Sequence, residues 1–324
     1  MKNKISSTNI HHFLRAAILL GFSIYMLVLT LTGDILQFIV PQLVIYVDIA
    51  ALVLMIVSAF QFYIAFLSLK RPVIICECGH DHEHDHDHSH HHSHLEHDEN
   101  VFGHHHTHLF KKSLSKDIFI YSLFLLPLLL GFLLPNQAQS SSLAGSRGMN
   151  LGGLATQNQA KGALVELEGN EDPALKKMFK TNVYDKDYAK LGMVLYKQDV
   201  IEMKDKWFIE KLQSMNNFVD NFQNKEIKIK GFIYREDGLS SDQFIIARMG
   251  MTHCIADISP FGIIAEADSP DQFANDSWVT ITGKISKTTF NGQTVIKIDV
   301  EKTEPAAAPS VQYVYPDWDF GSKL

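Results

Sequence analysis

Long apolar runs in the first 134 residues constrain the fold of this chain more than any other feature. A helix needs about 20 mostly apolar residues to cross the ~30 Å hydrocarbon core of a bilayer. Residues 13–33, 44–69 and 117–134 each contain such a run. They predict three transmembrane helices, the third of which tolerates Pro127 as a kink.

The basic residues that flank these runs predict the orientation of the chain. Cytoplasmic segments carry an excess of lysine and arginine. The segment between the first two runs has neither residue type, whereas both flank the other segments, at Lys2, Lys4, Arg15, Lys70, Arg71, Lys111, Lys112 and Lys116. We therefore expect a multi-pass protein of the bacterial inner membrane, with a cytoplasmic N-terminus and everything after residue 134 outside. No small-residue cleavage site follows the first run, so we expect a retained helix rather than a signal peptide.

Asp48 is an acidic residue inside the second apolar run. An intramembrane carboxylate is a functional candidate, in contact with a partner helix or an ion path. Asp48 is also only about one turn from the outer end of the run, where it can reach the interface without a specific role. Both interpretations stand at this point.

The second half of the chain predicts a small exported domain. Residues 135–162 are rich in Ser, Gly, Ala, Gln and Asn and predict a flexible linker. Residues 163–324 then form an extracytoplasmic domain that opens with a helix near 205–222. Period-two segments follow at residues 226–236, 243–258, 262–267, 277–290 and 293–304. Five short strands between residues 225 and 304 favour an OB-like small β-barrel, with a small sandwich as the alternative. The fold class is thus membrane α plus soluble β.

A histidine-rich segment, residues 75–108, separates the second and third apolar runs. It holds 14 of the 17 histidines, alternating with Asp, Glu and Ser over part of its length. Neutral imidazole is the commonest ligand for zinc, copper and nickel in proteins. An extended chain with this spacing gathers several imidazoles around one ion, which predicts a loosely binding multi-ion buffer. The alternative is a linker that binds metal only incidentally.

Two cysteines precede the histidines and extend the predicted ligand set. In a reducing cytosol they stay thiols, which zinc and copper(I) favour over imidazole alone. We expect zinc first, then nickel or copper, and no organic cofactor. The predicted metal ligands are Cys76, Cys78, His80, His82, His84, His86, His88, His90, His91, His92, His94, His97, His104, His105, His106 and His108.

A second, weaker cluster lies in the exported domain at His253, Cys254 and Asp257. Strand alternation would place His253 and Asp257 on one face and Cys254 on the other. A bulge would bring Cys254 to Asp257 and make a metal site. The alternative is a buried free cysteine beside a surface aspartate.

Two functional classes are not indicated by the sequence. The formal charge of −7 offers no basic surface for nucleic acid. No Ser-His-Asp order, phosphate loop or paired-carboxylate pattern is present, so we do not expect an enzyme.

Several stretches resemble the YcgQ-like family of bacterial membrane proteins, regarded as permease subunits. The stretches are TGDILQFIVPQLVIYVDIAALVLMIVSAFQ, SSLAGSRGMNL, KIKGFIYRE, MTHCIADISPFGIIAE, DSWVTITGKI and EPAAAPSVQYVYP. Family members often carry two cysteines where this chain has His253 and Cys254, and the histidine keeps a metal-ligand type at that position. The resemblance implies a separate multi-pass permease as partner, with this protein as accessory subunit.

These observations lead to one main hypothesis and two rivals. The main hypothesis is an accessory subunit of a membrane permease for a divalent transition metal, zinc favoured. The first rival is a membrane-anchored interaction or assembly protein whose exported domain binds a protein partner, with residues 75–108 as a metal buffer or sensor. The second is a permease subunit for a non-metal solute.

Overall fold

A computed structural model describes most of the chain. The described residues are 7–70, 114–134, 148–152, 164–165, 167, 172–236, 238–269 and 272–324. They divide into two compact units. The first comprises Met1–Tyr25 and Ala50–Leu134, and the second comprises Met26–Ile49 and Pro135–Leu324.

Three long helices come first in the chain: α1 (Ser7–Thr32), α2 (Val44–Lys70) and α3 (Leu114–Leu133). Two apolar stretches, Ile10–Thr32 and Pro41–Leu67, have the length and composition to cross a membrane. The apolar stretch of α3, Ile118–Leu133, is shorter, so the third span stays a prediction. Pro127 lies inside α3, which continues past it.

Small residues join the helices within the first unit. The Ser23 hydroxyl donates to the Ala51 carbonyl at 2.8 Å, and the Ser58 hydroxyl donates to the Ala16 carbonyl at 2.9 Å. All four residues are buried. Small residues let helix backbones approach closely. In a bilayer the hydrophobic effect does not drive helices together, so this close packing holds them in contact. Many large apolar side chains of α2 and α3 face outwards instead, as a lipid-facing surface requires.

The described residues of the second unit from residue 148 onwards, here called the β-domain, include three further helices and a seven-stranded sheet. The helices are α4 (Pro173–Met178), α5 (Lys186–Tyr196) and α6 (Phe208–Asn217). The strands are β1 (Val200–Met203), β2 (Glu226–Tyr234), β3 (Gln243–Gly250), β4 (Ser259–Glu266), β5 (Trp278–Phe290), β6 (Gln293–Pro305) and β7 (Tyr313–Val314). The sheet order is β1-β2-β5-β6-β4-β3-β7.

An additional pairing between β2 and β3 closes five of these strands into a ring. The β4–β6 pair is parallel and the other pairs of the ring are antiparallel. The β5–β6 register shifts between Thr282 and Gly283, and a side chain at Gly283 would collide with the Asp299 carbonyl. A bulge with glycine lets a long strand bend sharply, which ring closure requires.

The core of the β-domain follows from the sequence periods. Alternate residues from Val279 to Ile285 are buried in β5. On α6, Phe208, Leu212 and Met215 share one buried face, the face that the helical spacing predicts. The buried residues of β5 and the buried face of α6 belong to one hydrophobic cluster, so α6 packs against the ring.

The predicted strand over residues 243–258 is wrong in its second half. β3 ends at Gly250, and residues Ile255–Asp257 form a 3-10 turn before β4 begins. The alternation expected for His253, Cys254 and Asp257 therefore does not apply. Two strands of the sheet, β1 and β7, were not predicted.

Part of the predicted linker, in the segment of residues 148–152, packs against the β-domain. The Asn150 amide donates to the Pro260 carbonyl at 2.9 Å, and Leu151 is buried. The Asn216 side chain accepts from the Ile296 amide of β6 at 2.9 Å and donates to the Leu151 carbonyl at 2.9 Å. Asn216 thus joins the 148–152 segment to β6.

Candidate functional site

The turn after β3 is organised by one carboxylate. Asp257 accepts hydrogen bonds from the backbone amides of Thr252 at 3.0 Å, His253 at 2.8 Å and Cys254 at 3.3 Å. In a strand these three amides would donate to a neighbouring strand. Here the Asp257 side chain accepts all three hydrogen bonds instead. This explains why the chain leaves the sheet here although the sequence predicts a strand as far as Ile258.

The predicted ligands of the second cluster lie close together, but they already take part in hydrogen bonds within the turn. His253 Nδ1 lies 3.1 Å from Asp257 Oδ2, and its side chain is 70% exposed. The Cys254 side chain accepts a hydrogen bond from the Asp257 amide. Within the part of the chain that the structure describes, no group of three or more His, Cys, Asp or Glu side chains is placed to hold a metal ion. Metal binding at His253, Cys254 and Asp257 stays a prediction that requires these bonds to rearrange.

The loop that connects α1 to α2, residues 33–43, docks on this turn. The Val40 amide donates to the His253 carbonyl at 3.1 Å, and the Ile255 amide donates to the Phe38 carbonyl at 2.8 Å. Ile39 and Cys254 form an antiparallel bridge. The α1–α2 loop therefore adds a short extended segment to the β-domain.

Apolar packing strengthens this attachment. Val40 is buried in the same cluster as Met249, Met251 and Ile258, and Leu43 packs against that cluster. The Tyr315 hydroxyl also donates to the Leu36 carbonyl at 2.6 Å, and burial raises the pKa of that phenol. The loop is thus part of the hydrophobic core of the β-domain.

A cleft of about 360 Å³ lies between the α1–α2 loop and the C-terminal segment. We call it the Trp207 cleft. Its lining residues are Leu36, Gln42, Asp205, Lys206, Trp207, Val311, Tyr313, Val314, Tyr315, Pro316, Asp317 and Lys323. A volume in this range is typical of ligand pockets, which combine apolar walls with a few polar groups.

Internal bonds hold the aromatic walls of the Trp207 cleft. Trp207 has left-handed backbone angles (φ 58°, ψ 32°), and its Nε1 donates to Asp317 Oδ2 at 3.0 Å. A bulky residue in this region of φ/ψ space is uncommon and often marks a functional site. Burial pushes the pKa of Asp317 up, but hydrogen bonds from Lys323 and Trp207 outweigh it and lower that pKa.

Arg248 is a buried cation behind the Trp207 cleft. Its side chain is 2% exposed, and its Nη1 lies 2.6 Å from Oδ1 of Asp205, which is 62% exposed. The guanidinium lies 5.9 Å from the Phe208 ring and 5.3 Å from the Trp278 ring. Its Nε and Nη2 have no hydrogen-bond partner among the described residues. The pair is formally neutral, and Asp205 is the member that lines the cleft.

The remaining predicted site residues divide into two groups. Cys76, Cys78 and the fourteen histidines of residues 80–108 lie outside the described residues, so their metal binding stays a prediction. Asp48 lies half-buried on α2, just beyond its first turn. Neither role considered for Asp48 is tested.

The Trp207 cleft was not predicted from the sequence. Arg248 offered one signal, because a charged residue inside the apolar strand QFIIARMG requires a partner of opposite charge. Its partner Asp205 lies 43 residues earlier, and no local pattern joins them.

Two family models match most of the chain. The DUF1980 N-terminal domain matches residues 14–150, and the DUF1980 C-terminal domain matches residues 178–316. The two matches cover both halves of the protein, including the apolar helices and the strands of the ring.

Individual relatives are distant. UPF0703 protein YcgQ from Bacillus subtilis (strain 168) is 24% identical over 198 residues, which are 60% of this chain and 68% of the relative. A Streptococcus mutans protein with the provisional name of a two-component membrane permease complex subunit is 24% identical over 218 residues, covering 65% of this chain and 77% of the relative.

A solved structure shows only a weak likeness. A small single-stranded DNA-binding protein from Streptomyces coelicolor matches 26% of this chain and 94% of its own, with 12% identity and a TM-score of 0.18. A likeness at that TM-score supports no inference about fold or function. The two domain matches and the two relatives agree, and the chain belongs to the DUF1980 family of YcgQ-like proteins.

Proposed function

We propose that this protein is an accessory subunit of a membrane permease for a divalent transition metal, with zinc favoured. The observation that carries the proposal is the docking of the α1–α2 loop, which connects two helices of membrane-spanning length, into the core of the β-domain. A domain built around such a loop is suited to contact a membrane partner. The name of the S. mutans relative supports a permease complex.

The proposed topology has three spans in the bacterial inner membrane, with the N-terminus inside and the β-domain outside. An odd number of spans places the α1–α2 loop and the chain after α3 on the same side. The bond between the Val40 amide and the His253 carbonyl requires these two segments to share a side. This agreement supports the predicted three spans, whereas the orientation rests on the lysine and arginine bias alone.

The proposed fold of the β-domain is an OB-like barrel. In chain order, its five ring strands pair as first with second, second with third, third with fifth, fifth with fourth and fourth with first. The parallel pair is β4–β6, the third and fifth strands of the ring. A closed five-stranded ring with one such crossover agrees with a Greek-key barrel of this type.

The proposed metal-handling element is the cytoplasmic segment of residues 75–108. Its imidazoles and the thiols of Cys76 and Cys78 would bind several ions loosely and exchange them rapidly. Asp and Glu between the histidines would offset the charge of the bound cations. The segment would thereby raise the local metal concentration at the inner mouth of the permease. No catalytic step is proposed.

The test is a length-preserving replacement in cells. All fourteen histidines of residues 80–108 are changed to glutamine, with Cys76 and Cys78 changed to serine, so that length and acidic charge are retained. We expect altered zinc content and altered growth under zinc limitation or excess. The control changes only His11 and His12 to glutamine. Unchanged zinc content and growth in the main variant would exclude metal handling by this segment. The remaining permease hypothesis would then be transport of a non-metal solute.

A second candidate function is a membrane-anchored interaction protein whose β-domain binds a protein partner. It is favoured by the absence of a metal-binding group in the described β-domain and by the aromatic Trp207 cleft. Metal and partner binding by the full-length protein distinguish the candidates. Zinc affinity lost in Cys254→Ala supports metal presentation by the β-domain, whereas partner binding that is indifferent to zinc supports the interaction protein.

A further inference from the structure

We infer that the C-terminal segment around Trp318 contacts the headgroup layer of the bilayer that α1 and α2 cross, on the side of the α1–α2 loop. This inference rests on the proposed membrane insertion of these two helices and deepens it, because it gives the β-domain a lipid-facing surface. It is carried by the position of the Trp207 cleft, by the exposure of the Trp318 ring and by an exposed tyrosine at the same end of α2.

The Trp207 cleft lies at the level where the chain enters the bilayer. Gln42 lines the cleft and also belongs to the apolar stretch Pro41–Leu67, which is long enough to cross a membrane. Gln42 and the β-domain are parts of the same compact unit. The cleft holds only about 360 Å³, so Asp317, another lining residue, lies close to Gln42. Because the headgroup layer extends about 5 to 8 Å beyond the hydrocarbon core, Asp317 lies in or beside that layer once the stretch is inserted.

Trp318 follows Asp317 directly and differs from the other two tryptophans of the chain. It is 65% exposed, and its Nε1 has no hydrogen-bond partner within the part of the chain that the structure describes. The Trp207 Nε1 donates to Asp317 instead, and Trp278 packs against the Phe232 ring. An indole combines a large apolar body with a polar N–H group. The headgroup layer accommodates both parts, which is why tryptophan and tyrosine are enriched at membrane–water interfaces.

Two further exposed side chains extend this surface. Tyr46 lies in the first turn of α2 and is 67% exposed. It comes four residues after Gln42 in the apolar stretch, which places it about one helical turn deeper in the bilayer. Leu324 is 40% exposed and directly follows Lys323, which lines the cleft. Aromatic and apolar side chains thus flank the cleft from both the helix and the C-terminal segment.

The charges of the cleft do not select a particular headgroup. The four charged side chains that line it, Asp205, Lys206, Asp317 and Lys323, sum to zero. We therefore expect contact with the boundary between headgroups and acyl chains, without the preference for anionic lipid that a basic cluster would give. A protein partner on the same surface would instead leave Trp318 in water in a bilayer of pure lipid.

The test uses full-length protein in phosphatidylcholine nanodiscs and measures tryptophan fluorescence. The lipids carry bromine, which quenches on contact, either near the headgroup or near the bilayer centre. The Trp318 signal is the difference between wild type and Trp318→Phe. We expect bromine near the headgroup to quench this signal about two-fold more than bromine near the centre, because indole rings settle at the interface. Replacing part of the lipid with phosphatidylglycerol should leave the quenching unchanged.

Two substitutions locate the contact. Trp318→Phe should abolish quenching by bromine near the headgroup, whereas the matched control Trp278→Phe should keep it, because Trp278 is half-buried inside the β-domain. A thermal transition equal to wild type in both variants excludes misfolding. Lipid quenching that is equal in wild type and Trp318→Phe, or a Trp318 signal quenched by iodide in the water instead, overturns the inference and leaves the proposed function standing. Failure of the wild-type protein to enter nanodiscs overturns both.

Discussion

The backbone amide of Val40 donates to the backbone carbonyl of His253 at 3.1 Å, joining two segments more than half the chain apart. Val40 has φ −70° and ψ 152°, values that proline also adopts. Val40→Pro should therefore remove this donor without forcing the backbone to move. We expect a loss of about 1 kcal/mol in the free energy of unfolding of the β-domain, measured by denaturant unfolding of the full-length protein in detergent.

The control for this prediction is Val40→Ala, which keeps the amide and removes two buried methyl groups. It should destabilise the protein through the core instead, by about 1 to 2 kcal/mol. A proline variant with wild-type stability would show that the bond between the loop and the turn contributes nothing.

Asn216 joins the 148–152 segment to the ring through its side chain. Asn216→Ala removes its acceptor for the Ile296 amide and its donor for the Leu151 carbonyl. Leaving two partly buried groups unsatisfied should cost about 2 kcal/mol. The comparison is Asn221→Ala, which removes one exposed bond to the Met178 carbonyl and should cost less than about 1 kcal/mol. Similar unfolding midpoints for the two variants would argue against this role of Asn216.

Asp257 acts as the structural centre of the turn after β3. Asp257→Ala frees three backbone amides and should lower the free energy of unfolding by about 2 to 3 kcal/mol, with or without a metal chelator. Asp257→Asn keeps an acceptor and should cost less. Thermal unfolding with and without EDTA measures the difference. A loss that appears only when zinc is present would instead identify Asp257 as a metal ligand.

The buried carboxyl of Glu210 should make the free energy of unfolding increase as the pH falls. Its side chain is 2% exposed, its Oε1 accepts from the Asp317 amide at 2.6 Å, and burial raises the pKa of its carboxyl above the ordinary value of 4.5. The Glu210 carboxyl ionises more readily in the unfolded chain than in the folded one. The loss of stability caused by burying its charge is therefore fully present above the raised pKa and disappears as the pH falls to about 4.5. Glu210→Gln keeps the acceptor and removes the buried charge.

We therefore expect Glu210→Gln to raise the melting temperature at pH 7.5 and to match wild type near pH 4.5. The control is Glu202→Gln, because Glu202 is exposed and its pKa is lowered by a hydrogen bond from Lys204. A Glu210→Gln difference that grows as pH falls would have the wrong sign for a buried carboxyl.

Arg248 and Asp205 should respond unequally to removal of one partner. Asp205→Ala leaves a buried guanidinium without its carboxylate and should cost about 2 to 3 kcal/mol, at or below the low end for broken buried pairs because Asp205 is 62% exposed. Arg248→Met fills a similar volume and leaves only an exposed carboxylate, so it should change stability by less than about 1 kcal/mol. Equal losses in both variants, measured by denaturant unfolding, would contradict this asymmetry.

The sequence predicted those parts of the fold that local periods determine. The apolar runs located α2 and the end of α1 to within one residue, because span length and composition are local properties. Strands β2, β5 and β6 were located to within about two residues, since their alternation ends at clear turn signals such as FNGQ. The helical spacing of Phe208, Leu212 and Met215 likewise predicted the buried face of α6.

The errors arose where a tertiary contact overrides local pattern. The strand predicted from residue 243 continues to Ile258, but the Asp257 carboxylate accepts hydrogen bonds from three amides and the strand ends at Gly250. The segment 148–152 has the composition of a linker, yet Leu151 is buried in the core. The Asn216 side chain holds it there by donating a hydrogen bond to its carbonyl. The Trp207 cleft joins residues from three separate parts of the chain, so no single stretch could indicate it.

The docking of the α1–α2 loop also sets the order in which this protein can mature. The Tyr315 hydroxyl and the Leu36 carbonyl are 279 residues apart, so the loop leaves the ribosome long before its binding surface exists. At a synthesis rate of about 5–20 residues per second, the wait is roughly 15 to 60 seconds. During that interval Val40 and Leu43 have no core to enter. The β-domain can therefore complete its packing only after Tyr315 has been synthesised, long after the helices that flank the loop have been made.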